Sequence, residues 1–285
     1  MTESSTACNH RGELSPTPRI HRRCRACGWT KSRGRLSWLR SEPLEAAAEA
    51  ATEREEPMGR MPGKIAGLAL MTFALCPAAA ADDDRPLSPA QIALFESNHL
   101  EKINYPLVLD YTFRHRGGAD GDYVDKVSAD IRAVGQDGRK DVWIDFLSGD
   151  RHVNFPPAIG FNGNPLLMYF LEYDVMEMQA ATGGSAQYFR SRIRAAFVDR
   201  AAMHPVDVTI DGARHQATEI EVAPFLHDPN LARFPNFAGK TYRFVLSDAV
   251  PGSIYEISAT LATPGAAPDT FEEWMTYAGQ HEDKH

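Results

Sequence analysis

The sequence predicts an α+β fold: a large curved antiparallel sheet with an N-terminal helix and an inserted helical hairpin packed on one face. Three observations predict it. Apolar and polar residues alternate with period two before residue 150 and again after residue 200, which marks strands with one buried face. The stretch between them is apolar over helical lengths and is broken by glycines. Turn pairs fall between the alternating runs, at Asp137-Gly138, Asp211-Gly212 and Pro251-Gly252. Glycine and aspartate tolerate the positive φ that tight hairpin turns demand.

The elements follow in order. Ser88-Pro89 opens a helix, with the serine as cap and the proline at the first position, where no donor is lost. Its apolar stripe is Ile92, Leu94, Phe95 and Leu100, ending near Lys102. Three strands come next. In the first, Leu107, Leu109, Tyr111 and Phe113 face one way and Val108, Asp110, Thr112 and Arg114 the other. In the second, over 123–134, Val127, Ala129 and Ile131 alternate with Lys126, Ser128, Asp130 and Arg132. The third, 140–147, sets Val142, Ile144 and Phe146 against Trp143.

The period then changes. Asn164-Pro165 caps a helix running to about Ala181, stopped at Thr182-Gly183-Gly184, and Ser185 caps a second to about Val198. Two helices joined by a glycine turn make a helical hairpin. Strands resume at 206–210, 215–222, 241–247 and 254–261, with a proline-rich loop from Pro224 to Gly239. A last amphipathic piece, 271–277, precedes a polar tail.

The domain organisation is set by an address. After Arg60 and Lys64 comes an apolar run of 12 residues, 65–76, then Pro77, four alanines and three aspartates. A basic flank, a short apolar core and a small-residue end make a secretory signal peptide over 58–81, cleaved after Ala81. The run is too short to span a bilayer, which needs ~20 apolar residues. Residues 1–57 carry no sustained apolar periodicity and read as disordered or as text ahead of a start at Met58 or Met61. The rival is a cytoplasmic segment with an uncleaved anchor. Beyond the signal come a linker, 82–88, one exported domain, 89–278, and a disordered tail, 279–285.

Composition excludes several functions. Cys8, Cys24, Cys27 and Cys76 all lie at or before the signal segment, so the exported part has neither a disulfide nor a cysteine nucleophile. Cys8, His10, Cys24 and Cys27 have zinc-like spacing, but a chance cluster is the plainer reading. Leu75 before Cys76 disfavours lipidation. Residues 82–285 hold 18 Lys and Arg against 30 Asp and Glu, a net charge of −12. That argues against nucleic acid and against adsorption to anionic lipid surfaces. No stable membrane span remains after signal cleavage.

The first hairpin helix is unusual. Leu166, Leu167, Met168, Tyr169, Phe170, Leu171, Tyr173, Val175, Met176 and Met178 point in every direction, whereas a surface helix keeps one stripe. It is a central core helix, or it borders an apolar ligand or a partner. Arg190 and Arg194, one turn apart on the second helix, form a candidate anion clamp. The alternative is pairing with Glu172, Asp174 or Glu177.

Met176 and Met178 are two apart and do not share a helix face, so a copper site is rejected. Asp120, Asp122 and Asp125 resemble part of a calcium loop but lack its closing glutamate. Glu219 and Glu221 fall on a solvent face. No nucleophile elbow, H-E-x-x-H, phosphate loop or dinucleotide fingerprint is present. No catalytic residue, metal or cofactor is assigned, which leaves an enzyme open without favouring one.

In element order, and in the apolar hairpin of 165–198, the chain resembles the periplasmic lipoprotein-carrier half-barrels, over most of 89–261. The resemblance implies a curved sheet around an apolar cavity and passage of an acyl or other apolar ligand through the periplasm. Trp143, Phe146, Met168, Tyr169, Tyr173 and Met176 would line its wall. The rivals are an envelope scaffold docking a protein partner and a hydrolase built from scattered histidines and carboxylates.

Overall fold

The computed structural model describes residues 85–118, 120–233, 235–261 and 271–282. The expected signal segment at 58–81, the four cysteines and residues 1–57 lie outside the described residues. Among those described are ten strands: β1 (Leu107–Arg116), β2 (Tyr123–Val134), β3 (Lys140–Phe146), β4 (Val153–Asn154), β5 (Ala158–Phe161), β6 (Ala202–Ile210), β7 (Ala213–Val222), β8 (Lys240–Leu246), β9 (Ile254–Leu261) and β10 (Phe271–His281). The helices are α1 (Pro89–Gln91), α2 (Leu166–Thr182) and α3 (Ala186–Asp199).

All strands form one curved, open antiparallel sheet, in the order β4-β3-β2-β1-β10-β9-β8-β7-β6, with β5 also paired to β3. The α+β expectation holds. Two meanders, β1–β3 and β6–β9, are joined by the last described strand, β10. β10 pairs with β1 from Val108↔His281 to Arg116↔Glu272, and with β9 from Phe271↔Leu261 to Thr276↔Glu256.

Three expectations are corrected. The piece at 271–277, to which the sequence assigns no element type, is a strand that runs to His281, past residue 279 where the sequence places the tail. Its inward face carries a buried Glu273 beside Met275, and that charge hid the alternation. The N-terminal helix stops short: one α-turn passes into a π-turn (Ile92–Glu96) and Ser97 turns extended. Leu100 reaches the core from the following turn instead. Finally, β6 begins at Ala202, four residues before 206. Pro205 obscured it in the sequence, but β6 is the last strand in the sheet order, where a missing N–H costs no ladder bond.

The local signals otherwise act as expected. Ser88 and Gln91 form a reciprocal capping box, and the Ser88 hydroxyl donates to the Phe197 carbonyl at the end of α3. Asn164 accepts from the Leu166 amide at the start of α2, and Gly183 ends that helix at φ +66. Asp211 and Gly212 both take positive φ, as a primed hairpin turn requires. Gly252 is a close-approach site. A Cβ there would lie 2.8 Å from Leu109 and 2.9 Å from Asn164, whose side-chain amide donates to its carbonyl.

One core fills the space between the sheet and the helices. Leu109, Phe113, Ile131, Phe146, Phe244 and Ile257 come from the sheet; Phe170, Leu171, Phe189 and Ile193 come from α2 and α3. Each such side chain stabilises the fold by about 1.5–3 kcal/mol relative to exposure.

Candidate functional site

α2 lies against the sheet and is buried on nearly every side: all residues from Leu166 to Val175 are buried. The all-round apolar sequence is thus a helix in the core. Four of the expected wall residues gather here. Tyr169 stacks on Phe155 at 4.6 Å and donates its hydroxyl to the Pro156 carbonyl. Tyr173 stands against Phe113 and Phe146, with ring centroids at 6.0 and 5.1 Å. Met168 is buried in the same helix, and Met176 packs at the margin of the core.

Trp143 is the exception. It alternates to the opposite face of β3, under Arg132 at 4.6 Å, because only residues two apart share a face. It leaves the wall. Two open clefts, about 1000 Å³ and about 480 Å³, border β6, β7 and the end of β10, and none of the six wall residues lines them.

The arginines are placed as follows. Arg190 engages both oxygens of Glu172, one at 2.8 Å, so it ties α3 to α2 and does not form an open anion clamp. Arg194 lies one turn on, its guanidinium held below its ordinary value by burial and by the charge of Arg190. Arg192 pairs with Asp228 at 3.1 Å. Glu219 lies on the outer sheet face, paired with Arg243, as the alternation predicts.

What the sequence reading missed is a polar belt across the helix-covered face. The register lines up Tyr123 (β2), His115 (β1), Glu273 (β10), Ala259 (β9) and Tyr242 (β8) in one transverse row. His115 Nδ1 lies 3.2 Å from Glu273 Oε1, and Nε2 lies 3.1 Å from the Gly117 carbonyl. The imidazole stacks on Tyr123 at 4.6 Å. Facing the row from α2, Asp174 is fully buried and accepts from both Lys240 and Tyr242. Lys240 is 2% exposed, with the rings of Phe237, Phe271 and Tyr242 within 5.9 Å of its ammonium.

The electrostatics follow from burial. Glu273 is held above the usual carboxylate range because burial disfavours its charge and Asp174 repels it, with the bond to His115 opposing. One of its oxygens has no hydrogen-bond partner among the described residues. Burial would lower His115, but the hydrogen bond and charge of Glu273 prevail and raise it. Burial pushes the Tyr123 phenol up to about 12 and holds Tyr242 well above its ordinary value.

A signal for this belt was present. Extending Leu109, Tyr111, Phe113 by two residues puts His115 on the inward face, and extending Phe244 back through Tyr242 does the same for Lys240. The remaining described histidines do not converge. His99 is used on the Ala93 carbonyl and the Asn164 amide, and His152 and His281 pair with Asp145 and Asp110 near the surface. No group of three metal-binding side chains occurs among the described residues.

No family model matches the chain, and the curated proteins give no match. Among solved structures, the chain is similar to the lipoprotein LppX of Mycobacterium tuberculosis, with 11% identity, 70% of this chain and 98% of that one covered, and a TM-score of 0.30. A LolA superfamily protein from Nitrosomonas europaea gives 8% identity, 70% and 96% coverage, and a TM-score of 0.20. A putative outer membrane lipoprotein-sorting protein domain from Vibrio parahaemolyticus gives 7%, 62% and 85%, and 0.17. Overlap at this level fixes neither site nor ligand, and both rest on the chain's own geometry. That geometry is an open α+β half-barrel filled by its own helix.

Proposed function

We propose that the protein is exported to the periplasm or secreted, and that it binds an apolar or acyl ligand between the inner sheet face and α2. The observation that carries this reading is α2 itself: a helix apolar in every direction, occupying the inside of an open sheet. The face beneath it is lined by Phe113, Phe146 and Phe155, a surface suited to hydrocarbon once the helix moves aside. Gly163 lies just before the helix, and Gly183 and Gly184 follow it, giving both ends backbone freedom. The 58–81 segment supplies the export.

A protein partner finds less support. The exposed large apolar side chains among the described residues, Tyr105, Val124, Ile159 and Met203 included, come from separate stretches of the chain. A hydrolase finds less still, since His115 and Glu273 line neither of the two clefts.

Native mass spectrometry tests the reading, on protein recovered gently from a bacterial periplasm. The expected result is a reproducible added mass of several hundred daltons, lost on organic extraction and on Met176→Asp. A clean apo mass, from a protein that takes up no lipid when offered it, overturns the proposal.

A further inference from the structure

We infer that the ligand which takes the place of α2 carries an anionic head, a carboxylate or phosphate, bound by Lys240 and Tyr242, on which α2 now presents Asp174 as an internal stand-in. The inference rests on the apolar-ligand reading and specifies its chemistry.

Charge balance in the core points to it. Lys240 projects its ammonium into the core, among Phe237, Phe271 and Tyr242, and Asp174 is the carboxylate it touches. Asp174 in turn sits in a helix otherwise apolar where it meets the sheet, and it is fully buried. A buried ammonium without a counter-ion is costly, more so than a hydrogen bond left unmade. When α2 leaves, Asp174 leaves with it. Glu273 is paired with His115, and among the described residues it makes no ion pair with Lys240, whose one carboxylate contact is Asp174. A neutral-headed chain would therefore strand Lys240, whereas an oxyanion restores both contacts: one from the ammonium, one from the Tyr242 hydroxyl.

The geometry also places the head. Lys240 and Tyr242 start β8, against Asp174 at the middle of α2, while the aromatic surface around Phe113, Phe146 and Phe155 extends across β1 and β3. A single chain laid across that face would set its head at β8 and its tail over β1–β3.

Equilibrium binding of radiolabelled oleate, oleoyl lysophosphatidate and oleyl alcohol to the purified protein tests this. Oleate or the lysophosphatidate is expected to bind at least about tenfold tighter than the alcohol, the scale of a hydrogen bond to a charged group. The ratio between the two acids distinguishes a carboxylate from a phosphate head. Lys240→Met should bring acid and alcohol to equal affinity, and Asp174→Asn, which weakens the internal competitor, should tighten oleate severalfold. If Lys240→Met does not fold, Tyr242→Phe and the wild-type ratio decide. Equal binding of acid and alcohol by the wild type, or a preference that survives Lys240→Met, overturns the inference and leaves the apolar-ligand reading standing. Failure of all three to bind the wild type and Asp174→Asn removes both.

Discussion

Asp174 and His115 show how much rests on single side chains. Asp174→Ala would leave the Lys240 ammonium uncompensated in the core, and the expected loss is about 3–5 kcal/mol, readable by urea denaturation. Replacing Asp174, Lys240 and Tyr242 together by Leu, Met and Phe should recover most of it, since an apolar set of similar volume needs no counter-charge. The His115–Glu273 pair sets a pH dependence. Both groups hold their protons more tightly folded than unfolded, so the stability they contribute is present at low pH and lost as pH rises through their folded values. For Glu273 the window opens above about 4.5, and for His115 above about 6.5. Tyr123, Asp120, Tyr173, Asp174, Lys240 and Tyr242 face the pair from the neighbouring elements. The melting temperature is expected to fall between mildly acidic and mildly alkaline pH, and Glu273→Gln should flatten the profile. An unchanged slope in that variant would place the dependence elsewhere.

At the scale of elements, most of the fold was legible because most elements obey one period. α2 and α3 follow from their glycine stops, and β1–β3 from strict alternation. The failures have particular causes. β10 was unreadable as a strand because its inward face mixes Met275 with a buried Glu273. β4 and β5 have two and four residues, too few to show a period. Of the candidate site, the burial of Tyr169 and Tyr173 against the sheet was legible. The polar belt was not, because it joins residues from distant elements that only sheet register brings together. β10 carries the strongest prediction at this scale. It bridges the two meanders, so a chain ending at Leu261 is expected to be insoluble or to lack the far-ultraviolet signature of the sheet. A soluble, cooperatively melting product would contradict the topology. Gly252→Ala is a finer test: the left-handed backbone costs about 1–2 kcal/mol, and the new Cβ meets Leu109 and Asn164.

For the whole molecule, the question is why an open sheet should fill itself with a helix. A half-barrel cannot leave its aromatic inner face in water, and α2 covers it with apolar side chains and one carboxylate aimed at Lys240. On the proposed function, the helix is the occupant when no ligand is bound. The apolar residues of α2 from Leu166 to Val175 are buried in the interior it fills, and no helix of the described residues is long and apolar enough to cross a membrane.

Hydrogen exchange across α2, with and without oleate, decides whether the helix yields its place. The α2 amides are expected to be well protected in the free protein. They should lose protection when oleate is added, while β1, β9 and β10 keep theirs. An α2 that stays as protected as the central strands in the presence of bound oleate would contradict the proposal, and the helix would then be a fixed part of the core.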